Sequence, residues 1–229
     1  MGVKVIPIEF KNGKGYDIKI SNPEAAVQDY LNALNRAVEE YDLVRLWDSR
    51  KKCLGCDKCC RERIPLTLAD VSILAEHLLP REKAEKDKAL AEVIRRYCRI
   101  FVYGDIVDIH LRLTENGACP FLNEEEGMCR IYPYRPLVCQ TFICCPMTKK
   151  AEQLREAVVN RGEDDLVRWW MKYAYENSIA VWFDEGDNPQ IDLEDFEFES
   201  DPFIFISGYS KVKIRDVVSP NLWKLLSDK

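Results

Sequence analysis

Four thiols stand in one short run, Cys53-x2-Cys56-x2-Cys59-Cys60, and five more, Cys119, Cys129, Cys139, Cys144 and Cys145, follow in a second stretch. Cys98 alone lies outside the two. With two residues between successive cysteines, the backbone can turn so that both sulfurs reach one metal at about 2.3 Å, and zinc and iron both accept that spacing. One such pair is a weak signal. Nine of ten cysteines gathered in two segments make thiolate–metal chemistry the leading expectation. Disulfides are the poorer reading, because Cys59–Cys60 and Cys144–Cys145 are adjacent and neighbours reach disulfide geometry only with strain.

The spacing leaves iron–sulfur and zinc both open. Cys53-x2-Cys56-x2-Cys59 has the three-cysteine rhythm of ferredoxin-type clusters, whose fourth cysteine often precedes proline, and Cys119-Pro120 and Cys145-Pro146 both offer that partner. Zinc ribbons use separated Cys-x2-Cys pairs, which this chain does not show cleanly. Four thiolates around Zn²⁺ or a [4Fe–4S]²⁺ core leave a net charge of about −2. Lys51, Lys52, Lys58, Arg61 and Arg63 flank the first run and Arg130, Arg135, Lys149 and Lys150 the second, so an electrostatic offset is expected from them.

In type and order these motifs resemble a known family. Cys-x2-Cys-x2-Cys-Cys, then Cys119-Pro-Phe-Leu122, then Gly127-x-Cys-Arg-Ile-Tyr-x-x-Arg-Pro-x-x-Cys139-x-x-Phe142 are similar to the CxxCxxCC cysteine-cluster family, described as zinc- or iron-chelating proteins. The resemblance runs from Cys53 to Phe142 and implies a ligand set of Cys53, Cys56, Cys59, Cys60, Cys119, Cys129 and Cys139, with Cys144 and Cys145 in reserve. Arg135 matches the family's Arg-Pro; it either supports a ligand by hydrogen bonding or braces a turn. A related segment occurs in flagellin lysine N-methylases, which implies a second function class, a protein-modifying enzyme with a structural metal module. No glycine-rich S-adenosylmethionine loop accompanies it. A non-catalytic interaction module is the third class.

Other chemistries find little support. His77 and His110 lack HExxH or nucleophile-elbow surroundings, and His110 falls on the polar side of an alternating strand. Gly13-Lys14-Gly15 suits a turn better than a phosphate cradle. A net charge of −6 argues against non-specific binding to nucleic acid or anionic membrane. There is no apolar run long enough to span a bilayer, and Met1–Pro7 lacks the order of a secretory signal, so a cytoplasmic setting is expected. Substrate and protein partner are not specified.

The elements that must position the thiols follow from periodicity. At 229 residues, 47% hydrophobic and 31% charged, the chain can bury a core without cross-links, and a single domain over 1–229 is expected, with its cysteine core at 53–145. Val3–Phe10 and Tyr16–Ile20 predict a hairpin. Ser21-Asn22-Pro23 predicts the start of a long helix through Val44 that delivers the chain to Cys53. Thr67-x-x-Asp70 is a capping-box pattern opening a helix that ends near Pro80, and Arg81–Arg96 reads as a solvated amphipathic helix. A strand over Val107–Leu113 precedes the loop-like second cysteine stretch. Thr148 caps one helix and Asp164 or Asp165 begins another; Asp184–Asp201 reads as an acidic edge strand, Phe203–Ile206 with Val212–Ile214 as a hairpin, and Ser219-Pro220 as the start of a last helix. The expected fold class is α+β: several amphipathic helices packed on a small, mostly antiparallel sheet, with an irregular cysteine-rich metal-binding core.

Overall fold

The structure, a computed structural model, describes residues 2–46, 56–80, 85–103, 106–179, 185–186 and 203–228. Cys53, Lys51 and Lys52 lie outside the described residues, as does most of the Asp184–Asp201 stretch. The class is α+β, with the strands divided among three small sheets. No helix among the described residues is long and apolar enough to cross a membrane.

The amino-terminal hairpin joins β1 (Val3–Phe10) to β2 (Gly13–Ile20), antiparallel, with Phe10 opposite Gly13. The tighter turn at Lys11-Asn12 is possible because Gly13 takes φ +116°, a conformation glycine adopts without a Cβ clash. Tyr16, Ile18 and Ile20 of β2 face the core and are fully buried or nearly so. Against them lies α1 (Val27–Glu40), whose Val27, Tyr30, Leu31 and Leu34 are fully buried. Each large side chain so buried contributes about 1.5–3 kcal/mol.

Helix α1 is shorter at both ends than its sequence pattern predicts. It begins at Val27 rather than at Pro23 because the carboxyl-terminal segment supplies the acceptors its first turn needs: Val27 N–H donates to Val212 O at 2.8 Å and Gln28 N–H to Tyr209 O at 3.2 Å. It ends at Glu40, and Val44 instead donates its N–H to Lys14 O on the hairpin at 2.8 Å. The apolar residues Tyr41 and Val44 continue the helical spacing by coincidence of packing, and no helix runs on toward Cys53 among the described residues.

Helix α2 (Leu68–Leu78) has the expected capping box, with Thr67 at its cap and Asp70 reaching back. Helix α3 (Lys86–Tyr97) runs directly into β3 (Cys98–Tyr103), which pairs antiparallel with β4 (Ile106–Leu111). A two-residue strand β7 (Glu185–Gly186) lies parallel on the other edge of β3. The free edge of β4 is taken by the segment after the first cysteine run: Leu66 N–H donates to Ile109 O and Leu111 N–H to Ile64 O, both at 2.9 Å. That covering segment corrects the placement of His110, which is only 5% exposed. Two short strands, β5 (Leu122–Asn123) and β6 (Met128–Cys129), form the third sheet.

After the five-residue helix α4 (Leu137–Thr141), one continuous helix α5 (Lys149–Glu176) replaces the two expected. Thr148 caps it as predicted. Asp165 does not open a second helix: its carboxylate, fully buried, accepts the N–H of Phe205 at 2.9 Å. Gly162 in the helix interior costs about 1 kcal/mol relative to alanine. A Cβ there would stand 2.6 Å from Thr67 Cγ2, so glycine is what lets the α2 cap approach α5. The capping of Phe205 also explains why residues 203–214 are not a hairpin. They form single turns of 3-10 helix at Ile204–Ser207 and Ile214–Asp216, before the final helix α6 (Pro220–Ser227) begins at its Ser219 cap.

Candidate metal centre

The first cysteine run enters the described residues at Cys56 and makes a turn of 3-10 helix, Lys58–Arg61, that carries Cys59 and Cys60. Its main chain is joined directly to the second run, since Cys119 N–H donates to Cys60 O at 2.6 Å. From Cys119 the chain turns at Pro120, with Leu122 N–H donating back to Cys119 O at 3.0 Å. The β5–β6 ladder then sets Cys129 opposite Leu122, with Gly127 at φ +64° making the connection. Cys139 is carried by α4, whose first N–H, from Leu137, donates to Asp70 Oδ1 at 2.8 Å.

These elements bring Cys59, Cys60, Cys119, Cys129 and Cys139 within range of one another's charge. The Cys60 thiol donates to the Cys59 sulfur, which lowers Cys59 to about 7 and raises Cys60. Negative charge on Cys59, Cys119 and Cys139 adds to the rise at Cys60. Burial pushes Cys119 up to about 11, helped by the charges of Cys129 and Cys59. Cys139 is raised well above the usual thiol value, first by burial and then by Cys59, Cys119, Asp70 and Cys129. Burial also raises Cys129, while the Arg135 guanidinium pulls both it and Cys59 down. Such a set resists accumulating thiolates by itself, and a bound cation inverts that logic.

No disulfide joins the described cysteines. Among the described residues, no three Cys, His, Asp or Glu side chains already form a cage for an ion. The fit to a metal therefore rests on the donor chemistry: soft sulfur ligands from both runs, in mutual electrostatic contact. Cys56 is half-buried, two residues before the 3-10 turn. Cys144 and Cys145 are fixed by another set of contacts, to the segment after α1 and to the amino-terminal hairpin. Leu46 N–H donates to Cys144 O, Tyr16 N–H donates to Pro146 O, both at 3.0 Å, and the charge of Cys145 acts on Tyr16. Cys98 is buried, its sulfur toward Val93 O, in keeping with an inert thiol.

The expected electrostatic offset is narrower than the sequence implies. Arg61 pairs with Glu124 at 3.2 Å and Asp57 at 3.5 Å, Arg63 lies 3.8 Å from Asp108, and Lys150 pairs with Asp17 at 2.9 Å. Among the described residues, Arg135 is a flanking cation whose charge acts on Cys59 and Cys129. It also stacks over Tyr132 at 4.0 Å and donates to Asn35 Oδ1 at 3.1 Å.

Asp70 is the residue whose second role the motif reading missed. Its carboxylate is 2% exposed and accepts from Thr67 N–H and Thr67 Oγ1, both at 2.8 Å, from Leu137 N–H, and from the Tyr209 hydroxyl. Burial raises its pKa, opposed by those donors. It thus fastens the helix bearing Cys139 to α2 and to the carboxyl-terminal segment. The capping-box pattern announced the Thr67 bonds; nothing local announced the others.

Nearby on α5, Glu163 is raised from 4.5 to about 7, by burial first and then by the charges of Asp108, Asp164 and Asp70. A carboxyl raised on folding makes the folded state hold a proton the unfolded chain has lost. Stability therefore falls as pH rises from 4.5 to about 7, and the loss persists above it. Glu163→Gln is expected to stabilise the protein at pH 8 by roughly 1 kcal/mol, discounted for the group's partial exposure, and to leave it unchanged near pH 4. Urea unfolding of both proteins at the two pH values measures this; equal gains at both would contradict the cause given.

Residues 52–161 match the model of the CxxCxxCC family, whose description is "Putative zinc- or iron-chelating domain". The chain is also similar to an uncharacterized protein of Methanocaldococcus jannaschii, 31% identical over 90 residues, which are 38% of this chain. The match spans 41% of that protein's length. No solved structure matches. The matched segment contains both cysteine runs, the thiol cluster and the first half of α5, and it supports metal binding by this chain. Over residues 52–161, just under half of its length, the chain is similar to the CxxCxxCC family.

Proposed function

We propose that this chain is a metal protein whose thiolates hold an iron–sulfur cluster, with zinc as the competing occupant, and that the centre ties the two cysteine runs together. The observation that carries this reading is that the charge of Cys59 acts on Cys119, Cys129 and Cys139, and that of Cys119 and Cys139 on Cys60, five thiols drawn from both runs. Cys53 and Cys56 would extend the donor set on the first run. Iron–sulfur is preferred for the Cys-x2-Cys-x2-Cys rhythm followed by Cys119-Pro120. A cluster would supply one-electron redox chemistry; zinc would supply a structural cross-link. The protein's own contribution is to bring the thiols together through the Cys119–Cys60 main-chain bond, to anchor α4 on Asp70, and to set one guanidinium, Arg135, against the sulfurs.

Anaerobic purification followed by metal and acid-labile sulfide analysis tests the reading. Iron with sulfide and a visible sulfur-to-iron charge-transfer band assigns the cluster, and stoichiometric zinc without colour assigns the cross-link and removes the redox role. Cys129→Ser and Cys139→Ser are expected to lose most of the metal, and Cys98→Ser none. Equal metal content in all three variants, or a wild-type protein that binds neither metal, would overturn the assignment.

A further inference from the structure

We infer that the small sheet carries a pocket for a phosphate-sized oxyanion, formed by Arg63, Arg99 and His110, which does not depend on whether the thiol cluster takes metal. A cavity of about 200 Å³ is lined by these three with Leu113 and Thr114. The β3–β4 register sets Arg99 directly across from His110, and the Ile64–Leu66 segment pairs with β4 at the same level through Pro65, which brings Arg63 alongside. The Arg63 guanidinium lies over the Phe101 ring at 4.4 Å, a stacking contact that holds its plane.

The second observation is the state of His110. It is 5% exposed, and its Nδ1 has no hydrogen-bond partner; the nearest carboxylate oxygen, on Asp108, is 3.6 Å away. A buried polar atom left without a partner is costly, and a ligand atom placed against it would recover that cost. With Nδ1 protonated, imidazole and two guanidiniums all donate, so the matching ligand is one that accepts hydrogen bonds on several oxygens. The volume suits a phosphate group and is below the range that encloses a whole drug-sized molecule. Asp108, 3.8 Å from Arg63, is an opposing charge and competes with the ligand for that guanidinium.

Calorimetric titration of inorganic phosphate into the full chain, as isolated with whatever metal it holds, tests the pocket. Saturable binding is expected. Arg63→Gln should weaken it by roughly ten-fold, the loss of one charge-assisted contact, and Asp108→Asn should tighten it severalfold. The two variants move in opposite directions, so a folding defect in one does not mimic the result. Glycerol phosphate as a second titrant separates the sources: tighter binding assigns the phosphate end of a small ester, equal binding the free anion. No saturable heat with either titrant, or Asp108→Asn binding no better than wild type while Arg63→Gln binds as well, would overturn the inference.

Discussion

Asp70→Ala is expected to cost the protein about 4 kcal/mol of stability, because it leaves buried donors on three separate segments with nothing to meet. The Thr67 and Leu137 N–H groups and the Tyr209 hydroxyl all end on this one carboxylate, which is 2% exposed. Each buried donor stranded in this way costs about 1–3 kcal/mol, and relief from burying a carboxylate offsets part of the sum. Asn is a poor substitute. Oδ2 accepts from both Thr67 groups and Oδ1 from Leu137 and Tyr209, so an amide nitrogen in either place faces two donors. Tyr209→Phe removes one donor and should cost about 1.5–3 kcal/mol by the same accounting. Denaturant unfolding of Asp70→Ala, Asp70→Asn and Tyr209→Phe orders them; a loss below about 1 kcal/mol for Asp70→Ala would mean that the network contributes little. If the anchoring of α4 matters to the centre, metal content should fall with Asp70→Ala and stay intact in Tyr209→Phe.

Local chemistry made parts of this molecule legible from sequence. The amino-terminal hairpin, the Thr67, Thr148 and Ser219 caps and the burial of Cys98 are decided by neighbours in the chain, and the structure has them where the sequence puts them. The misses share one physical origin. Asp165 looks like a helix cap because its carboxylate does cap a backbone N–H, only that of Phe205, far along the chain. One helix runs through Gly162 because Thr67, far along the chain, packs against it. The amino terminus of α1 is set by Tyr209 and Val212, and the burial of His110 by the Ile64–Leu66 segment. In each case a long-range partner satisfies a group whose local pattern points elsewhere. For the candidate site, the clustering of sulfur was readable, because Cys-x2-Cys spacing is itself local. Its electrostatics were not: Arg61, Arg63 and Lys150 flank the cysteines in sequence yet pair with Glu124, Asp108 and Asp17.

Removing the metal with a strong chelator is expected to lower the melting temperature by roughly 8–16 °C. Structural zinc in small peptides contributes about 10–16 kcal/mol of apparent binding free energy, most of it realised as folding. Here much of that is consumed in stripping protons from thiols that burial and neighbouring charge hold in the neutral form, so a net of about 4 kcal/mol is a reasonable remainder. For a chain of this size each kcal/mol moves the midpoint by about 2–4 °C. The loss should be local. The β1–β2 hairpin, α1 and the length of α5 bury their own apolar core through Ile18, Leu31, Leu154 and Trp170, and keep it without the ion. The segments 56–61 and 119–141 are held by short strands, turns and the Cys119–Cys60 bond, so their exchange protection depends on the centre. Hydrogen exchange before and after chelation should therefore show the Cys119 and Cys60 amides losing protection while those of Ile18 and Leu31 hold. Unchanged exchange at Cys119, with an unchanged melting point, would mean that the two runs are joined by the main chain alone and that the sulfurs carry no shared ion.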